Sequence, residues 1–401
     1  MTGRVRPQWA VRLQTEREKR GWSKAEMARR LRDAVGAVRT PVASINRQVY
    51  DWEHGKHFPR EWAAAYAIAF GLDEADLFGV QAPARQPPPV SLVLGSADVL
   101  GLNGRPVDAD YVDAIRETNQ ALVRLDALWG GDEVFPLALR VFRTAHPKLG
   151  ARTYAPEVER DLMAATGETG EVTAWLAYDA DRQDASRQLI HEAMLLSRQA
   201  GDRDMELFEL SHLAMQSLYL LRPAEALRIT DEVLEGGRLV PRVAALFEMR
   251  RGRALAQMGD ERRALDALDR ASAALSDGVG GRDPHWTWWV DDTEITRHKA
   301  TARAQLGQWG QAVPLFESAA DDCRGGSLYG KLDLAQLLQA LVEVGDWRRA
   351  EDIITEACGL AGSIGPGRAA NLFREVVARI VRDDDAPSTV SDTAEHLRRL
   401  L

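Results

Sequence analysis

Asn46-Arg47-Gln48 sets three side chains that hydrogen-bond in several directions at the opening of a segment that closes on Trp52-Glu53-x-Gly55-Lys56. Such groups suit contact with a polar partner. Bond-making chemistry has little support elsewhere. His191-Glu192 begins like a zinc-binding HExxH, but position 195 is leucine, so the second ligand is missing. No serine or cysteine has a histidine at motif spacing. Cys323 and Cys358 form no CxxC pair and read as free thiols of a reducing compartment. The glycines of 276–282 and 362–367 follow no strand, fit no phosphate loop and read as interhelical turns. The expectation is a protein that is not an enzyme, with no catalytic residue, metal or cofactor.

His285-Trp286-Thr287-Trp288-Trp289 is the most unusual stretch. Three indoles in four residues cannot share one helical stripe, but Trp286 and Trp289 can face together at i, i+3. They read either as core with a tryptophan at a subunit contact, or as the wall of a ligand pocket with Asp291 and Asp292 as polar anchors. Arg368, Asn371 and Arg374 read either as groups that pin a peptide backbone or carboxylate, or as solvated positions.

The elements that must position these residues begin in a basic head. Residues 1–60 carry 14 Lys+Arg against 6 Asp+Glu, a net +8, so a chain of net charge -9 leaves -17 for the remainder. A basic head on an acidic body suggests a polyanion partner at the head only. With 401 residues, 45% of them hydrophobic and 28% charged, the chain is long enough for two or three soluble domains. The N-terminus carries arginines where a signal peptide needs an apolar stretch. The longest apolar candidate, 62–72, is about half of the roughly 18 residues that span a bilayer. A cytoplasmic protein with no membrane partner is expected.

At 100° per residue, Ile45, Val49 and Trp52 fall on one stripe, while Arg47, Tyr50, Asp51 and His54 point the other way. Asn46 lies in the exposed first turn, Ser44 is the expected N-cap and Gly55 the stop. Upstream, Ser23-Lys24-Ala25-Glu26 is a capping box ahead of the apolar Met27, Ala28 and Leu31. Trp9, Leu13 and the run 17–20 make a first helix that Gly21 ends. A fourth helix over 62–70 follows, and Leu72, Leu77 and Phe78 are expected to close the core.

Residues 22–28 (WSKAEMA), then Val49-x-x-Trp52-Glu53-x-Gly55-Lys56 and Pro59, resemble the helix-turn-helix domain of the lambda-repressor-like (Xre) family over about residues 8–79. The resemblance implies that the helix with the Trp-Glu-x-Gly signature enters the DNA major groove. Carried over by position, Asn46, Arg47 and Tyr50 are the base-edge candidates. Ser23, Lys24, Lys56, His57 and Arg60 would hold phosphates. The link 35–43 is longer than the tight turn of the simplest members, and Arg39 within it would add a phosphate contact.

The Pro-rich QAPARQPPPV at 81–90 reads as a linker. Beyond it a phrase repeats. Gly259-Asp260-Glu261 precedes Ala264, Gly307-Gln308-Trp309 precedes Ala312, Gly345-Asp346-Trp347 precedes Ala350, and a degenerate Leu221-Arg222-Pro223 precedes Ala226. The aligned alanines are 38, 48 and 38 residues apart, and each of the last three is followed seven residues on by another, Ala271, Ala319 and Ala357. That pattern marks stacked helical hairpins. It resembles tetratricopeptide (TPR) repeats, with an insertion near 277–284 lengthening one step. Together with the head, the order resembles helix-turn-helix/TPR regulators of GC-rich bacteria. A last helix over 391–401 would cap the array or bind a second subunit.

The expected fold class is all-α, an N-terminal helix-turn-helix domain plus a C-terminal α-solenoid of TPR-like hairpins. The expected domains are 1–80 for DNA binding, 81–107 as linker and 108–401 as the repeat domain. The expected function is that of a homodimeric transcription regulator on a double-stranded operator, its affinity set by a peptide or small-molecule ligand in the repeat domain. The expected pocket comprises Trp286, Trp289, Asp292, Arg368 and Asn371. The alternatives are an interaction scaffold and an antitoxin-type autorepressor, in which the repeat domain holds a partner protein.

Overall fold

A computed structural model of the chain describes residues 8–34, 42–54, 59, 62–72, 77–78, 106–152, 154–276, 283–323 and 330–401, with the side chains of 8, 127, 128, 321–323 and 363 excepted. The fold is all-α. Among the described residues the only strand-like pairing is an isolated bridge between Val107 and Tyr154. No helix among them is long and apolar enough to cross a membrane. The chain divides into two compact units, Met1–Pro89 and Val90–Leu401.

The first unit holds α1 (Gln8–Lys19), α2 (Lys24–Ala34), α3 (Val42–Glu53) and α4 (Ala63–Phe70). Each contributes an apolar stripe to one core. Leu13 comes from α1, Met27, Ala28 and Leu31 from α2, Ile45, Val49 and Trp52 from α3, and Tyr66 and Phe70 from α4. Leu77 and Phe78 join that core as expected, but Leu72 does not, being 37% exposed. The rings of Trp52 and Tyr66 meet edge to face at 5.9 Å, the geometry that the ring quadrupole favours. Gly21 ends α1 in the left-handed region at φ 68°.

Two capping expectations need correction. Ser23 Oγ does accept from the Glu26 N–H at 3.1 Å. Glu26, however, does not reach back, because its carboxylate pairs with Arg29 and Arg30 one turn on. Ser44 lies inside α3 and not at its N-cap, since the helix starts two residues earlier, at Val42, among the described residues.

The second unit runs α5 (Ala109–Trp129), α6 (Gly131–Ala151), α7 (Glu159–Asp179), α8 (Gln183–Ala200), α9 (Arg203–Tyr219), α10 (Pro223–Glu235), α11 (Pro241–Gln257), α12 (Glu261–Ser276), α13 (Asp292–Gln305), α14 (Trp309–Cys323), α15 (Gly330–Glu343), α16 (Trp347–Leu360), α17 (Arg368–Ile380) and α18 (Ser388–Leu400). Most helices pack on their sequence neighbours, and several also on the helix two positions on, as α9 does on α11 and α11 on α13. The terminal α18 covers α16 and α17 with Val390, Ala394 and Leu397. Of its two expected roles, capping is therefore occupied within the chain.

The repeated phrase has a hydrogen-bonding cause. Gly259, Gly307 and Gly345 adopt φ of 78°, 75° and 69°. A left-handed residue there lets the next N–H reach back to a carbonyl of the last helical turn. Asp260, Gln308 and Asp346 make those bonds to Leu255, Arg303 and Leu341 at 3.0, 2.9 and 2.9 Å. Asp260 and Asp346 then cap the following helix, accepting from the N–H groups of Arg263 and Arg349. Leu221 adopts the same conformation at φ 55° and Asp181 at φ 60°, with Arg222 and Arg182 making the equivalent bonds. Asp181 is thus a further copy of the turn that its residue type concealed. The aligned alanines 226, 264, 312 and 350 are all fully buried. At Gly252 a Cβ would meet Leu268 Cγ at 2.8 Å, so α11 and α12 approach as closely as small residues permit.

The series also turns back on itself, because α17 meets the turn between α7 and α8. A Cβ on Gly367 would lie 2.5 Å from the Asp179 carbonyl oxygen. Arg368 then donates to Asp179 Oδ1 at 2.8 Å and to the Tyr178 hydroxyl at 3.2 Å.

Candidate functional site

The outward face of α3 is built by its inward one. With Ile45, Val49 and Trp52 buried, Arg47 and Tyr50 stand exposed. Tyr50 is 45% exposed, stacks on His54 at 3.9 Å between ring centroids, and has the Lys24 ammonium 4.4 Å over its ring. The exposed Ser23 and half-buried Lys24, at the start of α2, therefore stand beside Tyr50. The Ser23 hydroxyl keeps a proton to donate, because only its oxygen is used in the cap. A helix N-terminus with a serine and a lysine favours an anion electrostatically.

Asn46 departs from the expected exposed position. It is half-buried, and its Oδ1 is shut off from solvent without a partner among the described residues. A base contact from Asn46 requires its side chain to turn outward. Arg39, Lys56, His57 and Arg60 lie outside the described residues.

The glutamate of the Trp-Glu-x-Gly signature has a role that the pattern did not reveal. Glu53 is 1% exposed and grips the buried Arg17 of α1 bidentately, with Nε–Oε1 at 2.5 Å and Nη2–Oε2 at 2.9 Å. Arg17 Nη1 also donates to the Trp22 carbonyl at 2.8 Å. Hydrogen bonding to Glu53 holds the Arg17 guanidinium above its ordinary pKa despite burial. This fork ties the end of α3 to α1 and to Trp22, two residues before α2, fixing the angle at which α3 presents Arg47.

The expected pocket of the second unit is not formed as anticipated. Residues 285–289 make a short 3-10 turn, in which Trp286 is buried and donates from Nε1 to the Asp204 carbonyl at 3.1 Å. Trp286 is core, the first of its two expected readings, and its ring stacks on Phe208 of α9 at 4.5 Å. Half-buried Trp289 lies 6.4 Å from the same ring. Asp291 is the N-cap of α13, and Asp292 is exposed in the first turn. Arg368 is not solvated, whereas Asn371 is exposed. Arg368 is buried against Asp179, and Asn371 donates to Asp181 Oδ2 at 2.6 Å. Arg374 binds the Leu401 carbonyl.

What joins Trp286 to Arg368 is a ladder of rings. From Phe208 it passes to His212 at 4.5 Å, to Trp175 at 5.4 Å and to Tyr178 at 5.9 Å. The Arg368 guanidinium sits 4.0 Å over Tyr178 and 5.8 Å over Trp175. Tyr219 meets Tyr178 edge to face at 5.6 Å. The gap among Ala174, Trp175, Tyr178, Ser186, Ile190, His212 and Met215 is about 150 Å³ and leaves no room for water.

Ionisable groups line this ladder. Trp175 Nε1 donates to Asp126 Oδ2 at 3.0 Å, while burial pushes the Asp126 carboxyl up to about 6. His212 Nδ1 lies 2.5 Å from Glu171 Oε1. Glu209 is fully buried, and Ser197 donates to its Oε1 at 2.7 Å. Burial pushes the Glu209 carboxyl up to about 9, with Glu171 adding like charge. Arg250 Nη1 and His298 Nε2 are 2.8 Å apart, and Glu294 Oε1 is 3.1 Å from the same nitrogen. Burial draws His298 down to about 4, which keeps the ring neutral.

Sequence reasoning missed this inner polar set. The signal available was the RRGRALAQ run of α11, where Arg250 and Arg253, three residues apart, share a face with apolar neighbours. Set against known proteins, the chain matches no family model and no curated protein.

Proposed function

We propose that the chain is a sequence-specific DNA-binding transcription regulator. The observation that carries this reading is the outward Arg47 and Tyr50 on α3, flanked by Ser23 and Lys24 at the start of α2. In this reading α2 and α3 form a helix-turn-helix pair. α3 lies in the major groove, where Arg47 reads a base edge for about 1–3 kcal/mol of discrimination. Ser23 and Lys24 hold phosphates, together with Arg39, Lys56, His57 and Arg60.

The second unit is read as a TPR-like superhelix that pairs two copies and receives a signal. One small head makes few base contacts, so joining two on one operator raises affinity through effective concentration. A ligand that favours one superhelix geometry shifts the population of operator-competent dimers. The protein acts where the operator lies, in the cytoplasm. Selection from a pool of random duplexes by the full chain tests the reading. Enrichment of one sequence arranged as two half-sites supports it; retention of no duplex at low salt contradicts it.

A further inference from the structure

α6 and α8 both pack on α7, and a cleft of about 220 Å³ is lined by the two of them. Its cause lies in the sequence of α6, which carries two apolar stripes. Val134, Ala138, Val141 and Ala145 are buried in the core, whereas Phe135, Leu139 and Phe142, at i, i+4 and i+7, line the cleft. α8 meets them with Leu189 and with Ala185, whose methyl group is too short to fill the space. Phe142 is held in place by Gly170 of α7, where a Cβ would come within 3.0 Å of its ring. The Arg182 guanidinium, paired with Asp132, sits 5.0 Å from the centre of the Phe135 ring.

The rim carries opposite charges on its two sides. Arg143 and His146 line it from α6, Gln188 and Glu192 from α8. His146 stacks on Phe142 at 5.2 Å. Arg143 is exposed and makes no hydrogen bond or ion pair among the described residues. Glu192 accepts from Gln188 Nε2 at 3.1 Å, which orients its carboxylate, and has no cation as partner among them. One cation and one anion thus share a cleft without pairing with each other.

We infer that this cleft binds a single hydrophobic α-amino acid. Its side chain lies on Phe135, Leu139, Phe142 and Leu189, its carboxylate meets Arg143, and its ammonium meets Glu192. The class follows from size and charge. The volume of about 220 Å³ falls below the roughly 300–1,000 Å³ of sites that take drug-sized ligands. A guanidinium fork fits the two coplanar oxygens of a carboxylate. An apolar acid without the ammonium leaves Glu192 unanswered, and an apolar amine leaves Arg143 unanswered; the zwitterion answers both. This inference rests on reading the second unit as the part that receives a signal, and it names the chemistry of that signal.

The test is calorimetric titration of the full chain with L-phenylalanine and L-leucine, at least one of which should bind saturably. The amide of the tighter binder lacks the carboxylate, and the matching acid lacks the ammonium. Each should bind about tenfold more weakly or worse, the loss expected for one hydrogen bond to a charged group. Arg143→Met and Glu192→Gln change rim side chains that no fold contact uses beyond the Gln188 bond, and each should weaken binding by a similar factor. Arg262→Met, at an exposed position of α12, should bind as the parent chain does. No saturable binding of either amino acid, equal binding of the amide or the acid, or unchanged affinity in Arg143→Met overturns the assignment. These failures are distinguishable from failure of the regulator reading, because retention of duplex DNA is measured separately on the same protein.

Discussion

Removing the Glu53 carboxylate should unfold the first unit while leaving the second intact. In Glu53→Ala, the Arg17 guanidinium stays 7% exposed, with the Trp22 carbonyl and the partly exposed Glu18 as its remaining partners. Breaking a buried ion pair by deleting one member costs about 3–5 kcal/mol, because the other charge remains without its match. A unit of this size has a total stability of roughly 5 kcal/mol. At about 4–8 °C per kcal/mol for a small domain, its melting temperature should fall by roughly 10–40 °C. Near-ultraviolet circular dichroism follows it through Trp22, Trp52 and Trp62, which pack in this core. The double variant Arg17→Met/Glu53→Leu removes both charges and should recover most of the loss, since an apolar pair of similar volume carries no desolvation penalty. A fall of less than about 1 kcal/mol in Glu53→Ala, the level of an exposed pair, refutes the reasoning. So does a double variant as unstable as the single one.

Two further outcomes follow from the second unit. Glu209 must stay protonated in the folded state up to about 9, so its cost is absent below the unfolded value of about 4.5 and grows as pH rises between the two. At about 1.4 kcal/mol per pH unit, Glu209→Gln should stabilise the protein by up to roughly 3 kcal/mol at pH 7 and flatten the decline above pH 5; an unchanged pH profile in denaturant titrations contradicts this. Leu221 is 77% exposed at φ 55°, so Leu221→Gly should relieve about 1 kcal/mol of backbone strain without losing core, and a lower melting temperature would contradict it.

Much of the fold was legible because it rests on local rules. The stripe Ile45, Val49, Trp52 and the alanines after each glycine follow from helical periodicity and close packing, and both are buried as their spacing implied. The left-handed turn was legible at Gly259, Gly307 and Gly345, and from its neighbours at Leu221. At Asp181 a non-glycine residue hid it. The site was less legible because it depends on contacts distant in sequence. Nothing in the spacing couples Arg17 to Glu53, or Arg368 to a turn about 190 residues earlier. Ser44 failed as a cap because the hydrogen-bonding start of α3 lies upstream of the residue type that usually marks it. For Trp286 the first of the two readings, core, is the one the structure shows. A cluster of indoles signals large buried rings, and the rings found their partner within the fold, on Phe208.

The most direct test of the central claim compares Arg47→Ala with the parent chain on the duplex that the parent selects and on variants of it, at fixed salt. The account predicts a loss of about 1–3 kcal/mol on the selected duplex and a relaxed preference at one base pair of each half-site. Equal weakening on every duplex would make Arg47 a phosphate contact, and no change on any of them would contradict the claim that α3 reads the groove.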